Sequence, residues 1–297
     1  MTLKIYLLGQ FKLADGERPL PLSSRPAQSL LAYLAMTAGM THRRERLAGL
    51  LWPESSEANA RGYLRQALWR IRKTLDSGEL SPEDYLQISD VSVAFKAYSD
   101  YWLDVSRVLE SSESASLEDL LETADLYRGE LLPGFYDEWI QPERDRVLAV
   151  YQGKMGQLLD ELLREERWQE AIKRGEQWIR LAHAPEQAFR TLMEAYAGLD
   201  DQRMVRATFE RCREALEQEL ALEPSEETTQ LYEVLRLGKM RRQEQGPKPS
   251  PTKPPRQPTF LSTDVHPPPA EQTPLVARER ELEMLHNLLR QALDGRG

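Results

Sequence analysis

The feature that most limits the possible folds is a change of hydrophobic period along the chain. Residues 3–13 alternate apolar and polar side chains, which predicts strand, whereas every periodic stretch from Asp104 to Lys239 has helical spacing. The predicted helices of this second region are 105–110, 117–127, 137–164, 168–181, 185–198, 201–219 and 225–237. The pattern predicts a mainly α protein in which the strands belong to the N-terminal segment.

The order of elements in the first 98 residues predicts a winged helix-turn-helix. A second short strand is expected near residues 18–22, after the hairpin signal Asp15-Gly16. Three helices follow: one from Ser24 to Gly39, one opened by Thr41 and His42, and one over residues 57–75. Two short strands, 85–89 and 91–95, then form the hairpin that serves as the wing.

The helical region contains a weak internal repeat of 34 residues, the length of a tetratricopeptide unit. Apolar positions recur in the pairs Met155 and Phe189, Leu158 and Leu192, Leu162 and Tyr196, Ala171 and Val205, and Trp178 and Cys212. One pair does not fit, because Gly175 aligns with Phe209. We therefore predict an all-α tetratricopeptide-like domain of about two units, flanked by further helices.

Composition divides the chain into four segments. Residues 1–98 are predicted to be the winged-helix domain and residues 99–240 the helical domain. Residues 241–276 hold 10 of the 19 prolines and predict an extended linker. Residues 277–297 return to a helical pattern.

Charge is distributed unevenly between these segments. Residues 1–98 carry 13 basic and 10 acidic residues, a net charge of +3, whereas residues 99–240 carry a net charge of −14. A polyanion would therefore bind the N-terminal domain, since the helical domain repels phosphate.

The third helix is the strongest candidate for a functional surface. No acidic residue occurs between Ala58 and Leu75, and Leu64 marks the centre of the predicted buried face. The opposite face and its flanks carry groups that hydrogen-bond base edges or neutralise phosphates. The candidate DNA-binding residues on this helix are Asn59, Arg61, Arg65, Gln66, Trp69, Arg70 and Lys73. An isolated helix of this composition is more often a solvated cationic surface, but the surrounding winged-helix order favours nucleic acid.

Arginines near the starts of the first two helices extend this surface. Arg25 stands at the start of the first helix, and Arg43 and Arg44 stand at the start of the second, where helix N-termini favour phosphate. For each of these arginines, an ordinary solvent-exposed role is about as plausible as a phosphate contact. For Lys96 the sequence favours neither of these two roles.

Signatures of other functional classes are missing from the sequence. It contains no P-loop, nucleophile elbow, HExxH motif or glycine-rich dinucleotide turn, so we expect no enzyme and no cofactor. The single cysteine, Cys212, excludes an internal disulfide and a cysteine-based zinc site. No run of 18 apolar residues is present, so we expect no membrane contact and a location in the reducing cytoplasm.

Several motifs, taken in chain order, resemble a known family. They are IYLLG at 5–9, SRPAQSLLAYLA at 24–35, RERLA at 44–48, LLWP at 50–53, LRQALWRIR at 64–72, YRGELLPGF at 127–135 and LALEPS at 220–225. Residues 3–237 thereby resemble the SARP-type bacterial transcriptional regulators, in which an OmpR-like winged helix precedes a bacterial transcriptional activation domain, or BTAD.

The resemblance implies a specific mode of action. Such regulators bind promoter DNA, often as dimers at repeated half-sites, and recruit RNA polymerase. The third helix would be the recognition helix, and the loop from Pro53 to Ala58 matches the loop that faces polymerase in OmpR-like proteins. The sequence departs from that of two-component regulators in having no receiver domain, so we expect no phosphorylated aspartate.

A further motif, VAREREL at 276–282, resembles the opening of STAND-type P-loop ATPase modules, with Ala277 in place of the usual glycine. We expect a chain truncated before such a module, or alternatively a short helical tail. A different functional class also remains open: a protein-binding adaptor that uses its helical repeats and whose winged helix is purely structural.

Overall fold

The computed structural model describes residues 2–77, 80–110, 115–182 and 184–244, with side chains up to Leu237. Residues Met1–Glu244 form one compact unit. The predicted linker beyond Glu244 and the predicted helix within 277–297 lie outside the described residues. The described part is mainly α, as predicted.

The N-terminal sheet has four strands in the order β3-β2-β1-β7. These strands are β1 (Leu3–Tyr6), β2 (Lys12–Asp15), β3 (Arg18–Pro19) and β7 (Tyr101–Leu103). Leu3 and Ile5 are fully buried, which confirms the predicted alternation in β1. The sequence did not predict β7, which pairs in parallel with β1 and brings a segment beyond residue 98 into the N-terminal sheet. The predicted boundary between the winged-helix domain and the helical domain, at residues 98 and 99, therefore remains a proposal.

The winged helix contains the three predicted helices and the predicted hairpin in the predicted order, together with a strand over Thr41–Arg43 and a short helix over Pro82–Tyr85 that were not predicted. Its helices are α1 (Arg25–Met36), α2 (Arg44–Leu51), α3 (Glu57–Asp76) and the short α4 (Pro82–Tyr85). Its second sheet has the order β4-β6-β5, formed by β4 (Thr41–Arg43), β5 (Leu86–Ile88) and β6 (Ser92–Phe95). We call the β5–β6 hairpin the wing.

The prediction that Thr41 and His42 open the second helix is wrong. Both residues belong to β4, where Thr41 pairs with Ala94 and His42 pairs with Val93. The pairing partner lies about fifty residues further along the chain, so no local pattern could have shown it.

The remaining helices begin and end within three residues of the predicted bounds, except that the last of them, α11, extends to Glu244, seven residues beyond its predicted end. They are α5 (Asp104–Leu109), α6 (Leu117–Leu126), α7 (Ile140–Arg164), α8 (Trp168–Leu181), α9 (Glu186–Gly198), α10 (Gln202–Leu220) and α11 (Glu226–Glu244). The repeat pair that did not fit has a structural reason. A Cβ at Gly175 would lie 3.2 Å from Leu192, whereas Phe209 stacks on Tyr232 with ring centroids 4.2 Å apart. The first unit thus packs Leu192 closely against a glycine, where the second unit uses an aromatic ring to hold α11.

The winged helix and the helical region are joined by a hydrogen-bonded seam between residues 7–9 and residues 127–135. The amide of Leu132 donates to the carbonyl of Leu7 at 2.9 Å, and the amide of Gly9 donates to the carbonyl of Glu130 at 3.0 Å. Arg144 secures the second strand of this seam by donating to three of its carbonyls, those of Leu131, Leu132 and Phe135. The two motifs at 5–9 and 127–135 are therefore direct neighbours in space.

A buried carboxylate lies beside this seam. Asp104, only 2% exposed, accepts hydrogen bonds from the amides of Leu7, Leu8 and Val105 at 2.7–3.0 Å. It thereby ties the end of β1 to the start of α5.

We expect Gly9→Ala to destabilise the protein by about 1–3 kcal/mol. The backbone at residue 9 is left-handed, and the added Cβ would lie close to the backbone of a neighbouring segment. Gly9 has a φ of +78°, and a Cβ there would lie 3.1 Å from the Arg128 carbonyl carbon. Gly16→Ala is the matched control, since Gly16 has a φ of +59° and no atom within 4 Å of its Cβ position. Urea unfolding measures the free energy of unfolding of both variants. Equal losses of stability in Gly9→Ala and Gly16→Ala would contradict crowding at the seam.

Candidate nucleic-acid interface

The recognition-helix candidate α3 is amphipathic as predicted. Each residue of the predicted apolar stripe is buried: Ala60, Leu64, Ala67, Leu68, Ile71 and Leu75. Each candidate DNA-binding residue of α3 is exposed: Asn59, Arg61, Arg65, Gln66, Trp69, Arg70 and Lys73. The orientation of the helix thus presents the acid-free surface to solvent.

A groove lies between α3 and the wing. Arg65, Trp69 and Lys73 line it from α3, Arg44 lines it from α2, and Ile88 lines it from the wing. The ring of Trp69 is 58% exposed, and Lys73 Nζ lies 5.0 Å from its centroid. An exposed indole beside cations is a surface that can contact sugars, base methyl groups and phosphates together.

The arginines of α3 differ in whether a neighbouring acid neutralises them. Arg61 pairs with Glu57 at 2.8 Å, and Arg72 pairs with Glu83 at 2.7 Å. Among the described residues, Arg65 and Arg70 form no ion pair. Their guanidinium groups are therefore the ones whose charge and donors remain available to a ligand.

The arginines at the start of α2 occupy two different positions. Arg43 is the exposed last residue of β4, rather than the first residue of a helix. Arg44 Nη1 donates to the carbonyl of Ser89 at 3.2 Å, which links the start of α2 to the wing. Lys96 donates to the carbonyl of Glu83 at 2.6 Å and so connects the end of β6 to α4.

The structure does not bring Arg25 into the groove. Arg25 Nη2 donates to the carbonyl of Gly134 at 2.5 Å, and its guanidinium lies 4.9 Å from the Phe135 ring centroid. These contacts join α1 to the seam. Arg25 therefore has a structural role within the described chain, and its contact with DNA stays an untested prediction.

One part of this surface could not be found from the sequence. Val91, at the wing tip, is 63% exposed and has no local signal, because α3 and the wing meet only after folding. Arg72 lies within the acid-free window of α3, as the sequence indicates, and lines the groove while also pairing with Glu83.

The predicted polymerase-facing loop lies between α2 and α3. Pro53, Glu54 and Ser56 are exposed, and the structure assigns residues 57 and 58 to the first turn of α3. The amide of Ser55 donates to the carbonyl of Trp52 at 3.1 Å, and the Trp52 and Tyr63 rings lie 6.1 Å apart. The loop is thus a short, accessible turn fixed at its base by an aromatic pair.

Metal binding, a reactive thiol and membrane insertion are further properties on which the described residues bear. Within them, no group of three or more His, Cys, Asp or Glu side chains is arranged to hold a metal ion. Cys212 is fully buried, and burial raises the pKa of its thiol to about 12, which disfavours a nucleophilic thiolate. None of the helices over this part of the chain is long and apolar enough to cross a membrane.

Comparison with known proteins identifies relatives of the fold. Residues 104–236 match the family model of the bacterial transcriptional activator domain, which confirms the domain predicted from the motifs. The fold is similar to that of Mycobacterium tuberculosis EmbR in complex with a low-affinity phosphopeptide, with a TM-score of 0.65 and 18% sequence identity. The match covers 80% of this chain and 65% of the EmbR chain, so it spans less than two thirds of that protein. No curated protein matches the sequence.

Proposed function

We propose that this chain, which carries a bacterial transcriptional activator domain and resembles the SARP-type transcriptional regulators, binds promoter DNA through α3 and activates transcription. The observation that carries the proposal is the exposed, acid-free face of α3, flanked by the wing. A major groove about 12 Å wide admits one α-helix, and side chains on that helix then reach base edges.

The available charges suggest a division of roles on this face. Arg65 and Arg70, which form no ion pair within the described residues, are assigned to base edges together with Gln66. Lys73 and Arg43 are exposed cations and are assigned to phosphates. Arginine and glutamine can each make the paired hydrogen bonds that distinguish bases, whereas phosphate contacts set position and affinity.

The helical region is assigned a different role. Its net charge of −14 over residues 99–240 keeps phosphates away, while the seam attaches it firmly to the winged helix. It therefore suits protein contacts, regulation or dimerisation.

Selection from random duplex DNA with the whole chain tests the proposal. We expect an enriched motif made of two repeated half-sites about 10–10.5 base pairs apart, as a dimer on one DNA face requires. Affinity for the motif should fall steeply with salt. If no motif is enriched and binding is absent at low salt, the chain is an adaptor with a structural winged helix.

We further propose that the 53–58 loop contacts RNA polymerase. Replacing Pro53 and Glu54 with serine should leave the affinity for promoter DNA unchanged, since these residues lie outside the α3 face. Activated transcription in vitro should fall several-fold. The same substitutions of Glu223 and Pro224, in the turn between α10 and α11, serve as the control and should change neither DNA affinity nor activation. Equal loss of DNA binding and activation in the loop variant would argue against a polymerase contact.

A further inference from the structure

A second cleft lies between the winged helix and the helical region, away from the α3 groove. It has a volume of 330 Å³ and is lined by the C-terminal part of α1, the turn that follows it and the N-terminal part of α7. This volume is within the range of small-molecule sites, about 300–1,000 Å³. We call it the α1–α7 cleft.

One wall of the cleft is aromatic. Tyr33 of α1 and Trp139, which precedes α7, meet edge to face with ring centroids 5.2 Å apart. Trp139 Nε1 lies 3.3 Å from Ser29 Oγ and donates to it, so the indole is held in place by a group outside the cleft. A fixed pair of crossed rings offers a surface on which a further aromatic ring can stack.

Two methionines complete the apolar lining. Met36 is partly buried, and Met40 is 59% exposed at the mouth of the cleft. Thioethers make favourable contacts with aromatic rings and adapt to ligands of different outline. The apolar lining therefore favours a planar aromatic ligand over a sugar or a phosphate ester.

The rim of the cleft carries a charged pair on α7. Arg146 and Glu143 lie 3.1 Å apart, and their side chains are 61% and 32% exposed, respectively. The arginine is the more accessible partner, and within the described residues it bonds to Glu143 through Nη1 alone, so its Nε and Nη2 donors face solvent or a ligand. An acidic group on the ligand can therefore pair with Arg146.

We infer that the α1–α7 cleft is a binding site for a small planar aromatic acid, with its ring against Tyr33, Trp139 and the methionines and its acidic group on Arg146. Because α1 belongs to the winged helix and α7 to the helical region, such a ligand contacts both parts of the protein at once. The inference does not depend on DNA binding and is tested without DNA.

Methionine methyl NMR on the whole chain tests the inference, with 1-naphthoate as the probe. The chain has eight methionines, of which Met36 and Met40 line the cleft, while Met155 and Met193 are buried elsewhere. We expect saturable shifts of the Met36 and Met40 signals and none at Met155 and Met193. Absence of saturable shifts at millimolar probe would overturn the inference.

Substitutions and a neutral analogue test the assigned contacts. Arg146→Gln should weaken 1-naphthoate binding about two- to fivefold, as expected for an exposed charge pair, and should leave the neutral analogue 1-naphthamide unaffected. Met40→Glu should block the mouth, whereas Val234→Glu, at a similarly exposed residue of α11, should not change binding. Equal effects of Met40→Glu and Val234→Glu would show nonspecific adsorption and would also overturn the inference.

Discussion

Replacing Arg65 and Arg70 together with alanine is expected to remove the sequence preference of DNA binding while the protein stays folded. Both side chains are exposed on α3, and neither forms an ion pair in the described part of the chain. Alanine has a higher helix propensity than arginine, so the helix should not be weakened.

The expected size of this effect follows from the contacts that the two arginines can make. A good bidentate contact to a base is worth about 1–3 kcal/mol of discrimination, which is roughly a 5- to 150-fold effect for each arginine. Competition between the selected motif and a scrambled duplex measures the loss directly, and circular dichroism monitors the fold.

A matched control removes the same charge elsewhere. Arg213 and Arg236 are exposed and paired with Glu210 and Glu233 on α10 and α11. Their double alanine variant should retain sequence preference. If both double variants lose affinity equally for specific and scrambled DNA, the arginines of α3 act only through net charge, and the base-reading role is wrong.

Asp104→Ala is expected to destabilise the whole described unit, with the largest effect of any single substitution considered for stability. The change leaves the buried amides of Leu7 and Leu8 without the carboxylate that accepts from them. An unsatisfied buried donor costs about 1–3 kcal/mol, so the two amides together predict a loss of about 2–6 kcal/mol.

This loss should depend on pH in a defined direction. Burial raises the pKa of Asp104 to about 6, although the backbone amides that donate to it oppose the shift. Because the native state then holds its proton up to a higher pH than the unfolded state, the contribution of Asp104 to stability is greatest below pH 4. It decreases as the pH rises to about 6, by up to roughly 3 kcal/mol at 1.36 kcal/mol per pKa unit.

Urea unfolding of the wild type and of Asp104→Ala at pH 5, 6 and 7.5 checks both expectations. Comparing the two proteins removes the opposite effect of carboxylates whose pKa is lowered by arginine partners, such as Asp125 beside Arg174 and Glu176 beside Arg211. A difference in unfolding free energy that stays constant with pH would show that the pKa of Asp104 is not raised.

Local periodicity was sufficient to predict most helices and the two sides of α3. The hydrogen bonds of a helix join residues four apart in the sequence. Its ends and its buried face can therefore be predicted from a short stretch of neighbouring residues. The stripe around Leu64 and the exposed arginines opposite it could therefore be assigned without coordinates. The motif order likewise predicted the activator domain, which the family match over 104–236 confirms.

Only the tertiary structure decided how these elements meet. The three-residue strands β4 and β7 depend on partners about fifty and one hundred residues away, and Asp104 accepts from an amide 97 residues away. The same reason explains the arginines, since the sequence offered Arg25, Arg61 and Arg65 alike as candidate DNA-binding residues, with the stronger case for the two on α3. Folding places Arg25 on the seam, pairs Arg61 with Glu57 and leaves Arg65 in the groove, because the charges that neutralise a side chain depend on its neighbours in space.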